Sequence, residues 1–356
     1  MPKNNLAGKA QTVLGPVDPD KLGVTSSHEH ILFDLSTYFM EPDAASEKGL
    51  ARQPLSLANL AWVRVHRFSN LDNLRQPDKE LAIKELLRFK YAGGSTLVEM
   101  SQNGLARDPQ GLAYVARATG LNIIMGCGYY IGLSHPKDMD SRTEEAIARE
   151  IVQDILVGAG DTGIRAGIIG EIGCTAPLSE NEKKVLRACA LAQRRTGVPM
   201  DIHPPFSDEM TLEVVKILKA AGADLEHTVI SHVEMFDFSL KTRLKLLEAG
   251  CYIAYDNFGN LGYPHPYLGR IVNITSDIVR INGIKELIEK GYQKKILVGH
   301  DICIKDSLIA YGGYGYAHLL NNATPLMRAM GMTDEQINAL LVDNPKRFLT
   351  FTRAQD

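Results

Sequence analysis

From residue 79 onward the hydrophobic and polar positions repeat one unit: an amphipathic helical stretch, a glycine that stops it, and a short apolar, β-branched run. Lys79–Tyr91 carries Leu81, Ile83, Leu86 and Leu87 at helical spacing, Gly93 and Gly94 end it, and Thr96–Met100 reads as a strand. The unit recurs as Gly111–Thr119 with strand Leu121–Cys127, Thr143–Leu156 with strand Arg165–Glu171, and Ser179–Thr196 with strand Val198–His203. Three more follow: Asp208–Ala221 with His227–His232, Ser239–Ala249 with Cys251–Asp256, and Ile278–Lys290 with Lys295–Asp301. Ser179-Glu-Asn-Glu182 has the form of a capping box, and Gly197 closes that helix.

An eighth strand lies upstream, around His28. Short apolar strands alternating with helices imply a parallel sheet covered by helices, and eight such units predict an α/β fold of the closed (β/α)8 (TIM barrel) kind, with its active site at the C-terminal strand ends. An open doubly wound sheet is the rival; it would normally start with a glycine-rich phosphate loop, and no G-x-G-x-x-G follows the first strand. Residues 8–24 read as a short hairpin punctuated by Pro16 and Pro19, so 1–23 is an N-terminal appendage to one domain spanning 1–356. Residues 35–75 show little periodicity and read as a long lid-like excursion with a helix over Leu57–Val65. Thr333-Asp-Glu-Gln336 caps a final helix running toward Asn344–Leu349.

The candidate chemistry starts at His28-Glu29-His30. Val24, Ser26, His28 and His30 share one parity, so both imidazoles point to one side of an extended chain and can reach one cation. H-x-H alone says little. Yet Glu171, His203, His232 and Asp301 each fall at the end of another predicted strand, on the same rim. Four histidines and two carboxylates exceed one tetrahedral zinc site and suit a pair of divalent ions around an activated water. The expected division has His28, His30 and Asp301 on the buried ion, His203 and His232 on the more exposed one, and Glu171 bridging. Asp301 would accept and return the proton. The ligand types admit Zn²⁺ first, with Mn²⁺, Co²⁺ or Fe²⁺ open.

The pattern His28-x-His30, Glu171, His203, His232, Asp301 resembles the phosphotriesterase family of the amidohydrolase superfamily. Gln11-Thr-Val-Leu-Gly15, Gly167-Ile-Ile-Gly-Glu-Ile-Gly-Cys174 and Tyr311-Gly-Gly-Tyr-Gly-Tyr316 resemble its phosphotriesterase-related branch. The likeness runs from about Gly8 to Phe351. It implies a TIM barrel, two zinc-type ions, frequent homodimers, and hydrolysis of esters, lactones, phosphotriesters or amides. The family's phosphotriesterases and lactonases bridge their metals with a carboxylated lysine on strand 4. This chain has Gly170-Glu171 there, like the related branch, which lowers the expectation of phosphotriester hydrolysis. Because that branch includes hydrolases of small N-acyl amino compounds, an amide is the first expectation, a lactone or carboxylic ester the second. A metal-binding barrel without turnover is the non-enzymatic alternative.

Tyr130, Asp256, Glu234 and Tyr314 are the candidate substrate contacts: Tyr130 as a donor after strand 3, Asp256 for a substrate amine or a ligand histidine, Glu234 two residues past His232 on its side, and Tyr314 in a glycine-rich wall with Tyr311 and Tyr316. Leu50, Leu55, Leu60 and Trp62 of the excursion would suit an acyl chain. His300 and Glu29 have the opposite parity to the ligands and read as structural. His135, His227, His265 and His318 read as loop or core residues, and Arg107-Asp108 as a salt bridge. Specificity is expected from 35–75 and from the loop 257–275.

Composition narrows the partners. Among 356 residues, 39 Lys and Arg against 42 Asp and Glu leave a net charge of −3 without a basic run, so no nucleic-acid partner is expected, and a small-molecule substrate is. No stretch reaches the roughly 18 apolar residues of a membrane span, and Met1–Leu6 lacks a signal core. Five cysteines without a C-x-x-C pair favour a reducing, cytoplasmic setting over a disulfide framework.

Overall fold

The computed structural model describes residues 6–235, 238–260, 262–267 and 270–355. Eight strands lie side by side in chain order: β1 (Thr25–Glu29), β2 (Thr96–Glu99), β3 (Asn122–Cys127), β4 (Ile168–Gly173), β5 (Met200–His203), β6 (Thr228–Ile230), β7 (Tyr252–Tyr255) and β8 (Ile296–Val298). Every pairing from β1 to β8 is parallel. Just past β8, the Asp301 N–H donates to His28 O at 3.1 Å, bringing the last strand against the first. The result is a nearly closed barrel.

Seven helices link β2 to β8 and precede β2: α1 (Lys79–Tyr91), α2 (Pro109–Thr119), α3 (Glu144–Leu156), α4 (Glu180–Thr196), α5 (Asp208–Ala220), α6 (Leu240–Glu248) and α7 (Asp277–Glu289). Most start on an oxygen cap, which satisfies N–H groups the helix cannot. Ser179 and Glu182 form the predicted capping box of α4, and Gly197 ends that helix in the left-handed conformation. Thr333 and Gln336 form another ahead of Asp334–Asn338, after which the chain passes through a widened turn into Asn344–Leu349.

Alternation along the strands separates two apolar layers. Leu97, Ile123, Ile202, Ile230 and Ile253 pack outward with helix residues such as Leu86, Val185 and Ile281. Their neighbours Val98, Ile124, Ile168, Val229 and Leu297 meet inside the barrel, where Leu22, Phe348 and Leu349 join them. Each buried aliphatic side chain contributes about 1.5–3 kcal/mol. Nearer the C-terminal strand ends the inward positions turn polar: His28, Asp201 and His203 are all buried.

Several boundaries move. Strand 4 runs over Ile168–Gly173 rather than Arg165–Glu171, with an irregularity between Ile169 and Ile172, so Glu171 sits inside the strand, not at its end. Gly170 takes φ 139°, and a Cβ there would lie 2.7 Å from Asp201 O, which is why glycine precedes this glutamate. Strand 6 stops at Ile230 and strand 8 at Val298; His232 (φ 56°) and Asp301 (φ 50°) then sit in the left-handed region. Such a backbone costs about 1–3 kcal/mol per residue and persists where the surroundings enforce it. The excursion is pinned at its neck by Phe33–Asp34 pairing with Arg75–Gln76, and its helix is confined to Leu60–Val65. The N-terminal hairpin is Ala10–Thr12 with Gly15–Val17, residues 1–5 lying outside the described residues. The 257–275 loop carries a short hairpin, His265–Tyr267 with Arg270–Val272; its residues 261, 268 and 269 lie outside the described residues.

The seam between β8 and β1 has no room for a side chain at Gly299, where a Cβ would lie 2.8 Å from His28 O and 2.9 Å from His28 N. Gly299→Ala is therefore expected to cost about 1–3 kcal/mol in urea unfolding. Unchanged stability would show that the barrel is not tight at this seam.

Candidate active site

Six of the predicted residues meet at the mouth of the barrel. The Glu171 carboxylate, 3% exposed, stands at their centre. Its Oε1 lies 2.6 Å from His203 Nδ1 and 2.8 Å from His232 Nε2. Its Oε2 faces the other pair, 3.7 Å from His28 Nε2 and 3.6 Å from His30 Nε2. Asp301 Oδ1 completes that side at 3.3 Å from His30 Nε2 and 3.8 Å from His28 Nε2. Among the described residues, His28, His30 and Asp301, and likewise His28, Glu171 and His232, bring ligand atoms within 4.8 Å of one another.

The His28, His30 and Asp301 side of the cluster fits a divalent cation. His28 Nε2 is buried and has no hydrogen-bond partner among the described residues, while two carboxylate oxygens stand just under 4 Å away. A buried polar atom is normally satisfied, and ligands around an ion are spaced beyond hydrogen-bond contact.

Each of three imidazoles is oriented by its other nitrogen. His232 Nδ1 lies 2.8 Å from Asp256 Oδ1, and the His232 N–H also donates to that carboxylate. His28 Nδ1 lies 3.3 Å from Ser231 Oγ, 3.4 Å from Asp201 and 3.5 Å from Asp256, and Ser231 itself donates to Asp201. His30 Nδ1 lies 2.9 Å from Ser101 Oγ. Beside it, burial pushes Glu99 up to about 7, against the lowering effect of the His30 charge.

Without cations the electrostatics are those of a buried salt cluster. Burial opposes protonation of His30, yet Asp301 and Glu171 outweigh it and raise the imidazole to about 9. His28 and His232 are raised well above the usual range, burial again opposing and Asp201, Asp256 and Glu171 prevailing. Burial likewise opposes ionisation of Glu171, but His203, His232 and His28 hold it well below the usual carboxylate range. Cation binding must displace those imidazole protons.

Over the cluster opens a cavity whose wall includes His30, Glu171, His203, His232 and Asp301. Tyr130 and Tyr314 line it. The Tyr130 hydroxyl stands 3.4 Å from His203 Nδ1, and Tyr314 stacks on His318. Glu234 and Asp256 are not part of that wall. Past Ile230 the period of two fails, and Glu234 instead accepts from the Asn257 N–H at 2.9 Å and from Arg280 Nε at 3.2 Å. Burial and the Asp256 charge push it up to about 7 despite Arg280. Asp256 takes the second of its two expected roles, holding His232.

Other expectations change as well. Tyr311 is absent from the wall, and Tyr316 is buried beneath it with its hydroxyl donating to His30 O at 2.7 Å. Leu55, Leu60 and Trp62 pack with Val63 and Tyr311 in a separate cluster; Leu35, Tyr38, Phe68 and Leu105 form the apolar wall instead. The Ser26 hydroxyl does not stay on the His28 side: an irregularity between Ser26 and Glu29 accompanies its turn onto the Glu29 carboxylate. Glu29 also receives the His300 and Ile302 N–H groups, whereas His300, expected to pack outward, contributes to the cavity wall. Arg107 pairs with Asp154 at 2.7 Å, not with Asp108, which caps α2 and meets Lys79. His265, assigned to loop or core, lines the cavity.

Sequence reasoning passed over Asp201, Ser231, Ser101 and Arg67. Asp201 had a signal: it precedes His203 by two on β5 and so points to the same interior, one layer deeper. Arg67, a wall residue, lies in the aperiodic excursion, where no pattern marks it.

Fold and site together define a TIM-barrel hydrolase with a His/Glu/Asp cluster at the strand ends. The chain belongs to the phosphotriesterase family, whose sequence pattern matches residues 8–349. It is similar to the N-acetyltaurine hydrolases of Homo sapiens, 40% identical over 98% of this chain and 99% of that one, and Dictyostelium discoideum, 40% identical over 97% and 99%. Among solved structures it resembles a resiniferatoxin-binding protein from Rhodobacter sphaeroides (TM-score 0.92, 33% identity, 96% of this chain and 95% of that one). It also resembles the phosphotriesterase homology protein of Escherichia coli, solved with phosphate in its active site (TM-score 0.77, 28% identity, 93% and 99%).

Asp256→Asn would leave His232 in place but weaken the acceptor at its Nδ1. It is expected to lower affinity for a divalent cation by about 10–100-fold in chelator competition. Unchanged affinity would show that Asp256 does not orient this imidazole for a cation.

Proposed function

We propose that the chain is a binuclear metal-dependent amidohydrolase that cleaves the C(O)–N bond of a small N-acyl amino compound. The observation that carries the reading is the division of Glu171, one oxygen toward His203 and His232, the other toward His28 and His30. One carboxylate shared by two pairs of imidazoles is the arrangement a bridged pair of ions needs. His28, His30 and Asp301 would hold the inner ion and His203 and His232 the outer, Zn²⁺ being the first choice. When bound, such ions supply Lewis acidity at the carbonyl oxygen and a water of lowered pKa.

The chain's own groups do the rest. Asp301 is the most exposed of the cluster, at 11%, and its carboxylate faces the cavity. It takes the proton of the water whose oxygen adds to the carbonyl carbon, and hands it to the amide nitrogen as the C–N bond breaks, leaving a carboxylic acid and an amine, which become carboxylate and ammonium when the acid's proton passes to the amine. Tyr130 stands over His203, where its hydroxyl can orient the substrate carbonyl. Leu35, Phe68 and Leu105 offer the acyl group an apolar wall that keeps bulk water from the reacting carbon.

An amide is preferred over a lactone or phosphotriester because the relatives that match nearly the whole chain are N-acetyltaurine hydrolases, and because Glu171 replaces the carboxylated lysine of the phosphotriesterases. The metal-loaded protein should hydrolyse N-acetyltaurine or N-acyl amino acids faster than lactones, carboxylic esters or phosphotriesters. Asp301→Asn should reduce that turnover by about 10²–10⁴-fold. Cleavage of lactones with all N-acyl compounds left intact would overturn the amide assignment, and full activity in Asp301→Asn would overturn the proton-transfer role.

A further inference from the structure

The cavity wall contains one buried cation that the hydrolytic chemistry does not use. Arg67 opens a short 3-10 turn, Arg67–Ser69, in the excursion after β1, and is 4% exposed. Its Nη1 donates to Asn260 Oδ1 at 2.7 Å. Its Nε and Nη2 are buried and have no hydrogen-bond partner among the described residues. A buried guanidinium with two idle donors is costly, and the cost is relieved by a planar oxyanion or by the oxygens of an acid group.

The neighbouring acid does not use those donors. The nearest carboxylate, Asp306, is 3.7 Å from Arg67 Nη2, beyond hydrogen bonding, and also stands 3.9 Å from Arg64 Nε. Asp306 hydrogen-bonds to neither guanidinium, its own oxygens being buried without a partner among the described residues, so it balances the Arg67 charge at a distance and leaves the Nε and Nη2 donors unused. The surroundings fix the group rather than cover it. Asn73 Nδ2 donates to Arg67 O, and Asn260 Oδ1 also accepts the Gly262 N–H at 3.0 Å, tying Arg67 to the 257–275 loop. Gly262 lies so close that a Cβ there would be 2.5 Å from Nη1 and 2.7 Å from Cζ. Only glycine lets the loop backbone lie against the guanidinium while Arg67 keeps its place in the wall.

We propose that Arg67 is the specificity-determining residue of the cavity, binding the sulfonate or carboxylate of the amino half of the substrate while the acyl carbonyl faces Glu171 and Asp301. This rests on the amidohydrolase reading and narrows it to N-acyl compounds that carry an acid group. It also gives the two long loops a common task, since one supplies the cation and the other, through Asn260 and Gly262, holds it. Arg67 touches no member of the histidine cluster in any contact described above, so its role is recognition and not proton transfer.

The test compares the metal-loaded wild type with Arg67→Gln, Arg67→Lys and Gly262→Ala. Substrates are N-acetyltaurine, N-acetyl-β-alanine and the uncharged N-acetylethanolamine; binding of propane-1-sulfonate is followed by calorimetry. Losing one partner of a buried charge pair typically weakens binding by a hundredfold or more, so Arg67→Gln should lower kcat/KM for both acids about a hundredfold, mainly through KM. The neutral amide should change by no more than about threefold, since uniform binding to the lost group is absent there. Arg67→Lys should recover part of the acid activity, and Gly262→Ala should raise KM for the acids alone. Equal losses on charged and neutral amides, or sulfonate binding by Arg67→Gln as tight as by the wild type, would overturn the assignment. Arg67-dependent sulfonate binding without cleavage of any N-acyl compound would support the anion site and instead refute the amidohydrolase reading. Should Arg67→Gln unfold, Arg67→Lys and Gly262→Ala decide through the same ratio of acid to neutral substrate.

Discussion

The site depends on one buried carboxylate. Glu171 gives one oxygen to His203 and His232 and presents the other to His28 and His30. Four imidazoles and several acids in a space closed to water would be unstable as independent charges. They coexist because each is balanced, by Glu171 and Asp301 from the front and by Asp201, Asp256 and Ser101 from behind. The barrel supplies the rigidity this needs: strand 5 aims Asp201 and His203 inward by alternation, local irregularities in strands 1 and 4 accompany the placing of His28 and Glu171, and strands 6 and 8 end just short of His232 and Asp301, whose left-handed backbones place them in the same mouth.

Chemistry and recognition come from different parts of the chain. The ligand set sits on strands and their first loop residues, where packing limits movement. The cavity wall comes from the two long loops: Leu35, Tyr38, Arg67 and Phe68 from one, Asn257, Asn260 and His265 from the other. This separation is general to the fold, in which strand ends carry the reaction and loops carry the substrate preference. It explains how relatives described as an N-acetyltaurine hydrolase and as a resiniferatoxin-binding protein can share one framework.

The barrel was legible because its signals are periodic. Lys79–Tyr91 begins and ends as its apolar spacing and flanking Gly93 predict, and the Ser179 capping box is formed. The rim residues were legible for the same reason: a polar, chemically capable side chain recurs where each apolar run stops. Errors gather where the period breaks. Glu234 was placed beside His232 by counting in twos across a point where the strand had already ended, and Ser26 was grouped with His28 across an irregularity of β1. The Leu55–Trp62 cluster and Arg67 belong to a segment without a period, so which of them faces the cavity is decided by tertiary packing alone.

The central claim is that Glu171 stands between two cations. Anomalous diffraction at the zinc edge from crystals of the zinc-loaded protein tests it most directly. The account predicts two peaks per chain on opposite sides of the Glu171 carboxylate, one within ligand distance of His28, His30 and Asp301 and the other of His203 and His232. One peak alone, or peaks away from Glu171, in crystals whose dissolved protein is fully active would contradict it.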